Sequence, residues 1–145
     1  MLCLTGGRII PTAVSTGATF SWDGSSWTEL GKMTTIRATH ACVEVDGSVF
    51  ALGGENRFDD SLASVEKLNL ATGVWSEGPE LPFPVEYVQA VNIHGDLYIV
   101  GGEGSGGKIL KLVGNTWEHV SNYGYDGMGL LSTPPTLTGD QIQCN

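Results

Sequence analysis

The sequence predicts an all-β fold assembled from a repeated four-stranded unit, and three observations carry that reading. Gly-Gly doublets that end an apolar stretch stand at Gly6-Gly7, Gly53-Gly54 and Gly101-Gly102, so their starts are 47 and 48 residues apart. Tryptophans follow at Trp27, Trp75 and Trp117, and the steps from Trp27 to Gly53 and from Trp75 to Gly101 are both 26 residues. Two independent landmarks that keep one phase mark an internal repeat. Glycine also fills 21 of 145 positions, about twice its usual share. No stretch keeps a helical period over ~11 residues, so short strands joined by tight turns remain.

The elements follow in order. The chain opens inside a second strand, Leu2-Cys3-Leu4-Thr5, that the first doublet closes, with no first strand before it. Phe20 to Trp27 then reads as a hairpin of third and fourth strands around an Asp23-Gly24 turn. The best-formed repeat has strands a to d at 38–45, 48–52, 63–70 and 75–77, and the next at 86–93, 97–100, 108–112 and 117–120. Asp46-Gly47 and His94-Gly95 are two-residue turns that open strand b. Phe20, Leu68 and Leu110 each lie seven residues before their tryptophan. Leu52, Leu68, Trp75, Ile99, Leu110 and Trp117 hold fixed phase and are expected to be buried between neighbouring sheets. The doublet has a physical reason: strand b leaves its sheet sharply, and glycine tolerates positive φ and close backbone approach.

An apolar run closed by Gly-Gly, then an aromatic or apolar residue, then tryptophan seven positions later, at a period near 48, resembles the kelch repeat of β-propellers. The resemblance implies a partial β-propeller of three four-stranded antiparallel kelch-type blades, with part of a further blade at the C-terminus. The whole of 1–145 reads as one such segment: a first repeat lacking strand a at 1–36, a second at 37–84, a third at 85–124 and a partial fourth at 125–145. Met33-Thr34 and Leu81-Pro82 sit where the family usually has Met-Pro. Arg37 fills the family's usual arginine, and Val85 replaces it one repeat later. Phe20, Leu68 and Leu110 stand in place of the usual tyrosine.

Charge excludes whole classes of function. Seven Lys+Arg against sixteen Asp+Glu give a net charge of −9, with no basic stripe to override it. Phosphate backbones and anionic membranes are repelled, so neither nucleic acid nor membrane is expected as a partner. Cys3, Cys42 and Cys144 form no CxxC pair and read as reduced, semi-buried hydrophobes of a cytoplasmic protein. The stretch from Gly102 to Lys108 spells a phosphate-loop pattern, yet Ile109 follows where Ser or Thr would bind magnesium, and a strand continues where a helix is needed. His40, His94 and His119 fall in strand a, an a–b turn and strand d, too scattered for one metal. No catalytic residue, metal site or cofactor is expected.

In a four-stranded meander the b–c and d–a loops share one face, and here they are the longer and more varied ones. Rigid scaffolds concentrate recognition on such loops. Arg8, Arg57, Asp59 and Asp60 are the candidate partner-binding residues, on b–c loops of adjacent blades. The expected function is non-enzymatic binding of a protein or peptide, as a scaffold or substrate-recognition segment of a larger propeller. The competing class is a propeller enzyme, either a kelch-type copper oxidase or a sugar-processing enzyme. Three blades leave two open end faces, and a second copy of the chain is one way to close the ring, since propellers carry about four to eight blades.

Overall fold

The computed structural model describes residues 2–9 and 14–124; the expected partial fourth repeat, 125–145, lies outside them. The described residues form thirteen strands: β1 (Leu2–Thr5), β2 (Arg8–Ile9), β3 (Val14–Ser15), β4 (Thr19–Trp22), β5 (Trp27–Glu29), β6 (Ala41–Val45), β7 (Ser48–Leu52), β8 (Val65–Asn69), β9 (Val74–Glu77), β10 (Gln89–Ile93), β11 (Asp96–Val100), β12 (Lys108–Val113) and β13 (Thr116–Asn122). They build three antiparallel sheets, ordered β1-β4-β5, β6-β7-β8-β9 and β10-β11-β12-β13. Among the described residues the first sheet comprises strands b to d. The two-residue strands β2 and β3 pair as a hairpin inside its b–c loop, which the sequence did not announce.

Strand a is shorter than expected in both full blades, for one reason. Thr39 and Tyr87, exactly one repeat apart, adopt φ of +55° and +52°, and a left-handed residue cannot continue an extended strand. The ladders therefore start at Ala41 and Gln89, and Ala38 and Glu86 instead make isolated bridges to Glu55 and Glu103.

Period-two alternation sends alternate side chains of each sheet to opposite neighbours. In the second sheet Ala41, Val43, Val45, Phe50, Leu52 and Val65 pack with Val85, Val88, Leu97, Ile99 and Leu110 of the third blade and the segment leading into it. Its other face sends Cys42, Val49 and Leu68 against Cys3 of the first sheet. Leu52, Leu68, Ile99 and Leu110 are buried, as expected. Trp75 and Trp117 are only half-buried, because strand d lies at the sheet edge. Each packs one ring face on the core, and its indole N–H donates to the preceding blade, Trp75 to the Gly31 carbonyl (3.0 Å) and Trp117 to the Pro79 carbonyl (2.8 Å). Gly31 and Pro79 each lie four residues past the tryptophan of their own blade.

The doublets link the blades. Their φ values repeat closely, +64° and +90°, +62° and +87°, and +64° and +89°. The first N–H stays within its own blade, from Gly6 to the Ala18 carbonyl (3.0 Å) and from Gly53 to that of Ser64 (3.1 Å). The second crosses to the segment leading into the next blade, from Gly7 to the Arg37 carbonyl (2.9 Å) and from Gly54 to that of Val85 (2.8 Å).

Equal spacing to the tryptophan conceals a shift in the ladder. Leu68 faces Trp75 across β8 and β9, but Leu112 rather than Leu110 faces Trp117, and Trp22 rather than Phe20 faces Trp27. The c–d turn of the second blade is two residues longer. Glu66, opposite Ala51, therefore corresponds in the ladder to Leu110, opposite Ile99.

That correspondence explains the missing arginine. Arg37 is fully buried and donates to the Gly53 and Ser64 carbonyls (2.8 and 2.9 Å), to Ser64 Oγ (3.1 Å) and to Glu66 Oε1 (3.1 Å). Glu66 also accepts the backbone N–H groups of Thr34 and Thr35 at 2.7 and 2.8 Å. One repeat on, Val85 and Leu110 replace the ion pair with an apolar one, both buried, and Pro82 has no N–H to offer.

Two stability changes follow. Glu66→Ala leaves a buried guanidinium without its counter-charge and should lower unfolding free energy in urea by about 3–5 kcal/mol. Trp75→Phe keeps much of the ring packing, loses the bond to Gly31, and should cost about 1 kcal/mol in the same assay. An unchanged midpoint for either would refute the corresponding role.

Candidate functional site

The b–c loop of the second blade is locked by one side chain. Asn56 Oδ1 accepts the N–H groups of Phe58 (2.7 Å) and Asp60 (3.1 Å), while its Nδ2 donates to Asp60 Oδ2 (3.1 Å). The Asn56 N–H donates to the Asp60 carbonyl (3.0 Å), and Asp59 turns the chain at φ +62°. An asparagine that bonds its own following backbone is the usual device for such a turn. Phe58 stands at the tip, 68% exposed, with the Arg57 guanidinium carbon 4.6 Å from its ring centroid.

Arg8 joins this loop to the first blade. Its Nη2 lies 2.7 Å from Glu55 Oε1 and 2.6 Å from Asp59 Oδ1. The Asp59 hydrogen bond, then the Glu55 charge, raise the Arg8 pKa above its ordinary value. Glu55 is itself fixed by backbone bonds with Ala38 in both directions (2.8 and 2.9 Å). Arg8, Glu55 and Glu103 are the same repeat position, the residue after each doublet. Ser61 Oγ extends the connection by donating to Glu86 Oε1 (3.0 Å).

Of the four residues singled out in the sequence, the structure thus pairs Arg8 with Asp59, and it sets Arg57 and Asp60 on the same loop. Glu55 and Phe58 belong with them and were not singled out. Their signals were present: a charged residue directly after the doublet, and one aromatic in an otherwise polar stretch.

The other candidate features have structural explanations. The 101–108 loop folds on itself, with the Gly107 N–H donating to Ser105 Oγ (3.0 Å), and runs directly into β12. Asp23 caps its own hairpin by accepting the Ser25 and Ser26 N–H groups (2.7 and 2.8 Å), which holds its carboxyl well below the usual range. Among the described residues no three of His, Cys, Asp and Glu converge. Cys3 is a buried free thiol, pushed up to about 11 by burial. Cys42 is disulfide-bonded, which departs from the reading of all three cysteines as reduced.

His40 precedes β6 and sits against the first doublet, where a Cβ on Gly6 would stand 2.6 Å from its Cε1. Neither ring nitrogen has a partner at hydrogen-bonding geometry. Burial, helped by the Arg37 charge and opposed by the Thr5 backbone, pushes its pKa down to about 4.

The Kelch motif matches residues 36–82. The chain is 36% identical over 95 residues to Kelch-like protein 33 of Homo sapiens, which covers 64% of this chain and 18% of that protein. It is 32% identical over 90 residues to Beta-scruin of Limulus polyphemus, covering 62% of this chain and 10% of that protein. The chain thus spans under a fifth of the length of these two relatives. The solved structure of YjhT matches with a TM-score of 0.67 at 14% identity, over 88% of this chain and 54% of that one.

His40 makes stability pH-dependent. A histidine with a pKa of about 4 when folded and about 6.5 when unfolded binds more protons in the unfolded chain. Its contribution is complete above about pH 6.5 and is lost as pH falls towards 4, about 3 kcal/mol in all. Urea midpoints measured across that window should fall, and His40→Leu should flatten the fall; an equal slope in both proteins would refute the assignment.

Proposed function

The chain is built of kelch repeats, and from that premise we propose that it is a non-enzymatic protein-interaction module whose b–c loop face takes a peptide segment of a partner protein. The observation that carries this reading is the Phe58 tip. An aromatic ring is held out in solvent by a loop whose backbone is fixed from within by Asn56 and from the neighbouring blade by Arg8. A rigid aromatic anchor loses little conformational entropy on binding, and such residues dominate interface energetics. Arg57 and Asp60 flank it with both signs of charge, which suits a partner that carries an apolar residue between polar ones. A net charge of −9 supports a protein rather than a nucleic acid or an anionic membrane as that partner. The relatives named for kelch repeats support the same class.

Selection of a displayed random-peptide library on the immobilised chain tests the reading. Enriched peptides should bind in solution, and Phe58→Ala should weaken them about 30-fold or more, with Arg57→Ala weakening them less. His94→Ala, at an a–b turn, should change nothing. No enrichment, or equal losses from Phe58→Ala and His94→Ala, would overturn the proposal.

A further inference from the structure

The two end faces of the three-sheet array carry the residue positions that pack between blades within it. The first sheet turns Leu4, Phe20 and Trp27 away from the second; they are 38%, 36% and 46% exposed. In the ladder these are the positions of Ile99, Leu110 and Trp117, which in the third blade pack against the second. The third sheet turns Val91, Tyr98 and Val100 outward and leaves them half-buried. One repeat earlier those positions are Val43, Phe50 and Leu52, which lie within the buried cluster between second and third blades. Even a charged contact repeats, with Lys67 over Phe50 and Lys111 over Tyr98 at 5.3 and 5.5 Å from the ring centroids.

Three further observations favour one occupant. Trp75 and Trp117 each donate to a preceding blade, and Trp27 holds the same position with no preceding blade among the described residues. The residues after the doublets run Arg8, Glu55, Glu103, and Arg8 already binds Glu55 across one blade boundary. With the array repeated, Glu103 is followed by Arg8 of the partner subunit, so the new boundary carries opposite charges. Finally, the chain matches 54% of the YjhT fold, and a second copy supplies about the share that remains.

We propose that two copies close one ring head to tail, with the third sheet of each on the first sheet of the other, giving six blades. The contact is heterologous, but a two-fold axis closes it. It completes the mouth formed by the b–c loops, to which each copy brings three.

Light scattering on the 145-residue chain tests this. The expected species has a mass of about 31 kDa, twice 15.3 kDa. Phe20→Glu and Val91→Glu, on opposite end faces, should each give a monomer with an unchanged β circular dichroism spectrum. An equimolar mixture of the two should recover the dimer, because it retains one boundary free of the new charges. Glu103→Arg, on an exposed side chain, should weaken the dimer about tenfold at low salt and less at high salt. A monodisperse wild-type monomer overturns the proposal and assigns the faces to residues 125–145 or to further blades of a longer chain. A dimer that survives Val91→Glu overturns it in favour of paired first sheets. Open-ended oligomers, a mixture that stays monomeric, or a Glu103→Arg chain of wild-type affinity overturn it equally.

Discussion

Everything in this molecule hangs on a pair of consecutive left-handed residues at the end of strand b. Two backbone N–H groups must point in different directions there, one back to strand c of the same sheet and one forward to the chain that starts the next. Only glycine accepts that geometry cheaply twice in succession. The blade-to-blade connection is therefore a property of the main chain, and side chains then choose how tightly the sheets lean on each other. The tryptophan indoles repeat the same logic towards the rim, again reaching a backbone carbonyl of the neighbour.

The same constraint explains how the b–c loop of the second blade is made rigid. Glu55 follows the second doublet directly, so its position is set by the inter-blade backbone bonds before any loop residue is considered. Arg8, directly after the first doublet, is placed in the same way one blade earlier, and the two meet. Between fixed ends, one asparagine suffices to hold the turn that lifts Phe58. The loop is exposed without being loose, which is the combination a binding surface needs.

The fold was legible in the sequence because its landmarks are residues with few substitutes. Gly53-Gly54 and Gly101-Gly102 cannot be exchanged freely, and Trp75 and Trp117 fill a place sized for an indole. What stayed hidden depends on backbone and register. Thr39 and Tyr87 are ordinary residue types, and nothing in them declares the positive φ that shortens strand a. The seven-residue spacing of Leu68 and Leu110 to their tryptophans is real, yet a longer turn sets them two ladder positions apart. For the site, Arg8 and Asp59 were legible as charges on adjacent loops, but their direct contact, 51 residues apart in the chain, is a product of tertiary geometry. Phe58 occupies no landmark position of the repeat, and its exposure is set by the folded loop rather than by its residue type.

The Arg37–Glu66 pair bears on how such an array can grow. The pair and the backbone donors to its carboxylate are split across a repeat boundary, since Thr34 and Thr35 precede Arg37 while Glu66 lies well inside the following sheet. A gene duplication that copies 37–84 in tandem carries both charges, but Pro82 then stands where Thr34 donates, and one of the carboxylate's two backbone donors is lost. A crossover between codons 37 and 66 is worse, because it strands one buried charge without the other. The third blade has no such debt: Val85 and Leu110 need nothing from Pro82. Its apolar version is the form a genome can copy and splice freely, whereas the second blade is tied by inheritance to the neighbour before it.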